Sequence, residues 1–439
     1  MRKISKISLV AAVAVAGFST ANAQPLEEAI KNVDVSGSVV YRYDNFHNKE
    51  KSSNGVVTSD RENTDVNRYK IGLNLSSKVN DYVKFNSRFI VGSKDNGGWA
   101  SLNAGKEDNS SNKKGADGQA DVSLSNAYFG FTAIPNTVVN IGKQGLTTPY
   151  TVAVDINGNE QTGTGILALS TFGPVTGGLG YFNNQNIDKG IDGANITPGA
   201  LGSVVRYNAN SLGLTGGEDL YVATVQGDLD FVKLEAWYLG MQDTFGSYTL
   251  AATSNIDLAE NAKLGLEARY VNLKLKQAFA DKLTSTPDTE TKNDMFRFAV
   301  DGKFSIVNAR LAYTKTGKNG GLTALDQDAK NTSLGWAITS NGVANADYYQ
   351  AALGADILDN LNFTLHYGQL KSKEDANATQ IRILTDDIKA KEVYGQLTYK
   401  MSKNLSTYLR YGTYDEKINS TGEKVQDQTR GRIQVAYTF

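Results

Sequence analysis

The chain ends in Gly431-Arg432-Ile433-Gln434-Val435-Ala436-Tyr437-Thr438-Phe439, and this stretch is the strongest indication of the fold class. Successive side chains of an extended strand point to opposite faces, so the odd positions form an apolar, aromatic face and the even positions a mostly polar one. A terminal strand that is apolar outside and polar inside is typical of an outer-membrane β-barrel. The alternative is an edge strand of a soluble sandwich.

The N-terminus carries the pattern of an export signal. It begins with three basic residues, Arg2, Lys3 and Lys6. A short apolar stretch follows from Ile7 to Phe18, and then a small-x-small cleavage site, Ala21-Asn22-Ala23. The apolar stretch is too short to span a bilayer as a helix. The pattern therefore predicts a cleaved signal peptide over residues 1–23 and one mature domain over residues 24–439.

Composition narrows the function classes. The chain has no cysteine, which excludes disulfides and thiolate chemistry. Its net charge of −1 becomes −4 when the three basic residues of the leader are removed, and it lacks the basic stripe that nucleic acid requires. The slightly negative net charge mildly favours the passage of cations over that of anions. Only 6 Pro, with 43 Gly and 22 Tyr, suit long paired strands, tight turns and aromatic girdles.

Alternating segments recur along the chain and are joined in two ways. Short turns are predicted at residues 79–82, 134–137, 172–175, 226–229, 258–261, 304–307, 358–361 and 401–404. Long polar connections are predicted at residues 45–67, 94–121, 183–217, 315–347, 371–391 and 415–428. Eight hairpins plus the first and last strands predict an all-β, transmembrane antiparallel β-barrel of about 18 strands, with short periplasmic turns and long extracellular loops.

Three blocks of sequence carry a family resemblance. They are Pro25 to Gly37 followed by Tyr41-Arg42-Tyr43-Asp44, the step Gly142-Lys143-Gln144, and the closing Arg432 to Phe439. Together they closely resemble the major outer membrane porins of the Campylobacter type. The resemblance covers essentially the whole chain, although the middle is divergent. It implies an 18-stranded, homotrimeric, weakly cation-selective channel for passive diffusion in the bacterial outer membrane.

The resemblance also implies how the barrel is assembled and what surrounds it. The barrel-assembly machinery is expected to recognise the last strand through Ile433, Val435, Tyr437 and Phe439, a role that the alternation permits but does not establish. The other expected partners are outer-membrane lipid and lipopolysaccharide. No nucleic acid partner is expected.

Selectivity in such a channel depends on pore width and on the sign of the lining charges. Strand parity assigns twelve charged residues to inward faces: Arg42, Asp44, Arg68, Lys70, Lys84, Arg88, Arg297, Asp301, Arg310, Glu392, Arg410 and Arg432. Each could equally lie near a rim that the permeating ion never meets. Because most of them are basic, a cation preference has to come from acidic residues on an inward loop, or be slight.

The best candidate for an inward-folded loop that narrows the pore is Gly145 to Thr162, the third long loop. Its constriction candidates are Asp155, Asn157, Asn159 and Glu160. The first three have the spacing that opens a calcium loop, but Glu160 and Ile166 stand where that pattern needs a glycine and a carboxylate. An ordinary loop is therefore the favoured interpretation. The family resemblance is compatible with a calcium ion near the constriction, although no cofactor is required.

Three other functions are alternatives to the porin. An enzyme is disfavoured, because neither His47 nor His366 lies beside a recognisable Ser or Asp motif and no Gly-x-Ser-x-Gly stretch occurs. A surface adhesin or structural barrel would use the long loops and does not exclude a pore. A substrate-specific channel would show a ladder of aromatics or of one charge sign along the lumen. The aromatics on inferred inward faces are Tyr348, Tyr394, Tyr408 and Tyr414.

Overall fold

A computed structural model describes most of the chain after the predicted leader. The described residues are 33–53, 56–58, 63–93, 97–102, 120–156, 158–186, 214–284, 288–373 and 387–439. The predicted leader, residues 1–23, and the calcium candidate Asn157 lie outside them. No helix in the described part of the chain is long and apolar enough to cross a membrane.

The described residues form twenty strands and one helix. The first ten strands are β1 (Val33–Ser53), β2 (Val56–Thr58), β3 (Asn63–Asn80), β4 (Val83–Gly92), β5 (Ala100–Leu102), β6 (Asp121–Phe131), β7 (Thr137–Gly145), β8 (Thr162–Phe172), β9 (Val175–Gln185) and β10 (Leu220–Asp228). The remaining elements are β11 (Lys233–Met241), β12 (Phe245–Ala259), β13 (Ala262–Leu275), α1 (Gln277–Thr284), β14 (Lys292–Phe304), β15 (Val307–Thr316), β16 (Asp347–Leu358), β17 (Leu361–Lys371), β18 (Ile388–Lys400), β19 (Leu405–Ile418) and β20 (Lys424–Thr438).

Eighteen of these strands close into an antiparallel barrel. The barrel is closed because β1 pairs with β3 on one side and with β20 on the other. The two remaining strands are short: β2 pairs with the end of β1, and β5 pairs with β3 at Asn67 to Tyr69. Closure pairs every strand on both sides, which removes the exposed edges of an open sheet. The predicted all-β antiparallel barrel of about 18 strands is confirmed.

The eight predicted short turns all join neighbouring strands, while three predicted boundaries are wrong. The turn placed at residues 226–229 lies at 229–232, between β10 and β11. The connection at 415–428 is not long, because β19 and β20 extend to within five residues of each other. β1 continues past Asp44 to Ser53 and pairs with β20 as far as Lys51. These extensions carry polar residues on both faces, so no alternation marks them as strand.

The outer surface of the barrel is apolar. Exposed side chains of high hydrophobicity recur at alternate positions, as in Leu353, Leu365, Leu409 and Tyr411. Their neighbours on the same strands point to the interior, where several polar and charged side chains are buried. This alternation is the one that the sequence predicts for a wall with lipid on one side and water on the other.

One part of the inner wall departs from that alternation because it is apolar. Val222, Leu239, Val271, Leu273 and Met295 point inward from β10 to β14 and are at most 5% exposed. They belong to a buried hydrophobic cluster that includes loop residues inside the barrel. Burial of apolar surface stabilises such a contact by roughly 25 cal/mol per Å². This side of the barrel is therefore filled by protein instead of water.

Candidate functional site

In the part of the chain that the structure describes, two connections fold into the barrel interior. The short inner loop, residues 146–161, joins β7 to β8, and its ends coincide with those predicted for the inward loop. The long inner loop, residues 317–346, joins β15 to β16, and most of its residues are buried. Leu146 and Tyr150 of the first and Leu322 and Leu325 of the second pack into the hydrophobic cluster. Sequence reasoning missed the inward path of the long inner loop.

The two inner loops are joined to each other. The backbone N–H of Leu325 donates to the carbonyl of Tyr150 at 2.9 Å. The Asp326 carboxylate accepts a hydrogen bond from the backbone N–H of Val152 at 2.8 Å and another from the side-chain amide of Gln161. Since these groups are buried, each unmade bond would leave an unsatisfied polar atom. The loops therefore pack as one unit.

Glu160 attaches the short inner loop to the barrel wall. Its carboxylate pairs with Lys70 Nζ of β3 at 2.6 Å and with Arg88 Nε of β4 at 3.0 Å. It also accepts a hydrogen bond from Ser125 Oγ of β6 at 2.8 Å. Burial raises the pKa of Glu160, but the hydrogen bonds from Arg88 and the charge of Lys70 outweigh it, so the net pKa lies below its usual value.

Glu392 of β18 attaches the tip of the long inner loop in a similar way. Its carboxylate accepts hydrogen bonds from the backbone N–H groups of Trp336 and Ala337, the latter at 2.7 Å. Arg430 donates to the carbonyl of Trp336 at 3.2 Å. Arg430 was not among the predicted lining residues, although it lies two positions before Arg432 on the same strand and so shares its face.

Between these two attachment points lies a group of charged side chains on β1, β3, β19 and β20. Asp44 binds Arg68 at 2.7 Å and Arg432 at 2.5 Å. Arg42 donates to the carbonyl of Ile156 in the short inner loop at 3.1 Å. The guanidinium of Arg410 lies over the Trp336 ring of the long inner loop, 5.2 Å from its centroid. The charged side chains of these four strands thus contact both inner loops.

The other predicted lining residues lie further around the barrel. Arg297 binds Glu267 at 2.6 Å and donates to carbonyls of the long inner loop. Asp301 pairs with Arg310 at 2.6 Å, and both side chains are exposed. Lys84 is exposed near the short-turn end of β4. Glu267, with its second partner Arg269, was missed although strand parity places it inward.

The calcium candidates of the short inner loop are engaged with each other. The Asp155 carboxylate accepts hydrogen bonds from the backbone N–H and the side-chain amide of Asn159, both at 2.8 Å. In the described residues, no group of three or more His, Cys, Asp or Glu side chains is placed to hold a metal ion. Burial, followed by the charge of Asp155, raises the pKa of nearby Asp328 to about 6 and that of Asp326 well above its usual range.

The inward aromatic residues cluster near the tip of the long inner loop. His366 stacks on Tyr394 with 4.5 Å between ring centroids, and Trp336 meets the edge of Tyr394 at 5.4 Å. Tyr348 and Tyr414 are fully buried beneath the loop. The imidazole of His366 is thus held in the barrel wall by an aromatic contact with Tyr394.

Several solved structures have the same fold. OpdL of Pseudomonas aeruginosa is 15% identical, with a TM-score of 0.65 over 92% of this chain and 99% of that one. OprD of the same organism is 16% identical, with a TM-score of 0.61 over 92% and 93%. OpdK with vanillate is 14% identical, with a TM-score of 0.65 over 92% and 98%. At these identities the likeness concerns the fold alone.

The sequence comparisons bear on the family. No curated protein sequence matches this chain. The family model described as Campylobacter major outer membrane protein matches residues 1–439, which is the whole chain. The fold and the family are those of outer-membrane porins. The chain therefore belongs to the Campylobacter major outer membrane protein family.

Proposed function

We propose that this protein forms a water-filled channel through which ions and small hydrophilic solutes diffuse passively across the outer membrane. The supporting observation is the pair of inner loops, which Glu160 and Glu392 attach to the barrel on either side of the charged group of β1, β3, β19 and β20. Barrels of 16 to 18 strands are wide enough to leave an aqueous passage unless loops narrow it. The short inner loop, with Asp155, Asn159 and Glu160, narrows the pore together with the long one.

Single-channel recording in planar bilayers tests this proposal. Purified protein that is folded and heat-modifiable on gels should insert with discrete conductance steps. Steps of equal size in groups of three would support the homotrimer that the family resemblance implies. Folded protein without any conductance would contradict the channel and favour a surface adhesin or a structural barrel.

We further propose a slight preference for cations, set by carboxylates of the inner loops. Asp155 lies close enough to Asp326 and Asp328 for its charge to raise the pKa of both, in addition to the larger effect of their burial. Calcium at Asp155, Asn157 and Asn159 stays a prediction of the sequence, since the Asp155 carboxylate is already bonded to Asn159. Lipopolysaccharide and outer-membrane lipid are the expected surroundings of the apolar outer surface.

The cation preference should depend on pH near the pKa of Asp328. Burial and the charge of Asp155 raise that pKa to about 6, so Asp328 gains its negative charge as the pH rises through this value. The reversal potential under a potassium chloride gradient should therefore become more cation-selective between pH 5 and 7, a window about one unit either side of the pKa. Asp328→Asn should flatten the step, whereas Asp81→Asn in an exposed turn should keep it. An unchanged step in Asp328→Asn would assign the titration to another group.

The C-terminal residue should matter more for assembly than for the finished barrel. The backbone of Phe439 pairs with Gly37 through bonds of 2.8 and 3.1 Å, while its ring is 42% exposed and stacks on Tyr437. Phe439→Ala keeps the backbone pairing and removes the exposed ring. We expect less assembled protein in the outer membrane but nearly normal heat-modifiability of what assembles. Phe172→Ala, an exposed aromatic of a short turn, is the control; equal amounts of both variants would refute an assembly role.

A further inference from the structure

Four arginines of the inner wall occupy two adjacent rungs of the sheet. Arg410 lies directly opposite Arg432 on the neighbouring strand, and Arg42 lies directly opposite Arg68. Asp44 is the partner of Arg432 across the next pair of strands. Like charges directly opposite each other in an antiparallel sheet are destabilising. Two such pairs side by side therefore need compensating negative charge.

The described residues supply only part of that charge. Asp44 binds both Arg68 and Arg432 and is 1% exposed, so it is already shared. The other two arginines are held by neutral side chains. Arg42 Nε donates to Gln434 Oε1 at 2.8 Å, and Arg410 donates to Gln396 Oε1 through Nε at 2.8 Å and Nη2 at 2.5 Å. Four arginines thus share one directly bound carboxylate, that of Asp44, and the charge of Glu392 on β18 acts on Arg410 only from a neighbouring position.

A second pair of facing arginines in the same barrel has a carboxylate that balances its charge. Arg269 lies directly opposite Arg297 on β13 and β14. Glu267 binds both of them, at 3.0 and 2.6 Å, and it also faces Arg310 at 3.8 Å. That pair therefore has its own carboxylate, placed between the two guanidiniums. The excess positive charge is a property of the β19, β20, β1 and β3 wall.

Aromatic rings surround Arg410, one of the two partly buried arginines of this wall. The guanidinium carbon of Arg410 lies 5.0 to 5.3 Å from the ring centroids of Trp336, Tyr394 and Tyr408. Arg410 and Arg68 are only partly buried, so a solute in the passage can reach their donors. A guanidinium offers a planar fork of donors that matches a carboxylate, and flat rings favour a planar neighbour.

We propose that Arg42, Arg68, Arg410 and Arg432, the guanidinium cluster, bind the carboxylate of a small planar anion as it passes through the pore. The proposal rests on the proposed function, because the solute has to enter the channel to reach this wall. The aromatic rings next to Arg410 hold the planar body of the solute. A bound anion supplies part of the missing negative charge, so occupancy makes the passage more selective for cations.

Benzoate is the probe for this site, because it combines one carboxylate with a flat apolar ring. Added to wild-type channels at constant potassium chloride, it should block the current reversibly and shift the reversal potential towards cation selectivity. Benzamide, which has the same ring without the charge, should do neither. Arg410→Gln should weaken the block at least about tenfold, the size expected for losing hydrogen bonds from a charged donor.

Further variants separate binding from folding and from general electrostatics. Arg410→Lys keeps the charge but loses the planar fork, so it should weaken the block less than Arg410→Gln does. Trp336→Leu should weaken the block by benzoate more than that by acetate. Lys403→Gln removes a positive charge from an exposed turn and should leave the block unchanged.

The outcomes distinguish the site from the channel. Channels that conduct normally but are not blocked by benzoate would overturn the guanidinium cluster as a binding site and leave the porin intact. Equal block of wild type and Arg410→Gln would do the same. Equal effects of benzoate and acetate on every variant would refute the role of the aromatic rings. Protein that inserts without conductance would instead contradict the proposed function itself.

Discussion

Glu160→Gln should release the short inner loop from the barrel wall and raise the single-channel conductance. The substitution keeps the size of the side chain but removes the charge that pairs with Lys70 and Arg88. Lys70 is buried and Arg88 is partly buried. Removing one member of a buried ion pair costs about 3–5 kcal/mol, because the remaining charge is left uncompensated. Water can relieve that cost only if the loop separates from Lys70 and Arg88. A loop without this attachment no longer keeps the passage narrow, so the conductance should rise.

A matched variant of the same loop makes the result specific. Asp155→Asn also removes one carboxylate, but both oxygens of Asp155 accept hydrogen bonds from Asn159 of the same loop. Its conductance should stay close to that of wild type. Both variants should remain heat-modifiable on gels, which shows that the barrel has formed. A folded Glu160→Gln channel with unchanged conductance would show that other contacts hold the loop.

Acid should reproduce the effect of the substitution in the wild type. The pKa of Glu160 in the folded protein lies below the 4.5 of a free side chain, so its ion pairs stabilise the loop above that value. This stabilisation is lost as the pH falls through the folded-state pKa. Conductance should therefore increase below about pH 4.5, the ordinary glutamate pKa, and Glu160→Gln channels should lack this step. A step of equal size in both channels would assign it to another carboxylate.

The barrel was predictable from the sequence because its signal is local. Alternation in Gly431–Phe439, and turn residues such as Asn80 and Asp81, report on strands and hairpins without knowledge of distant partners. Pairing inside the barrel is not local. Glu160 meets Lys70 at a separation of 90 residues, and no periodicity connects the two positions.

The long inner loop illustrates what local patterns leave open. Its polar and small residues are equally compatible with an exposed loop, and most of them are buried instead. A signal did exist in the wall that it covers. Along β13 the apolar residues change faces after Tyr270, so that Val271, Leu273 and Leu275 point inward. Such a change of phase indicates that the inner face contacts protein, because a wet lumen would select polar residues there.

Removing the long inner loop should widen the passage more than any single substitution. The backbone N–H of Gly342 donates to the carbonyl of Gly321 at 2.9 Å, so these two residues are already adjacent. Joining them deletes residues 322–341 without separating β15 from β16. We expect a severalfold increase in single-channel conductance, since an 18-stranded barrel without such a loop leaves a wide aqueous channel.

The same deletion should reveal why the loop is retained. It exposes the inward side chains of Leu273 and Met295, which are fully buried in the intact protein, and water at an apolar surface is unfavourable. The deleted barrel should therefore lose its heat-modifiable form at a lower temperature than the wild type. Lys330→Gln, an exposed position of the same loop, should change neither property. A deletion that leaves conductance unchanged would mean that the long inner loop fills space beside the passage, and that the short inner loop alone sets its width.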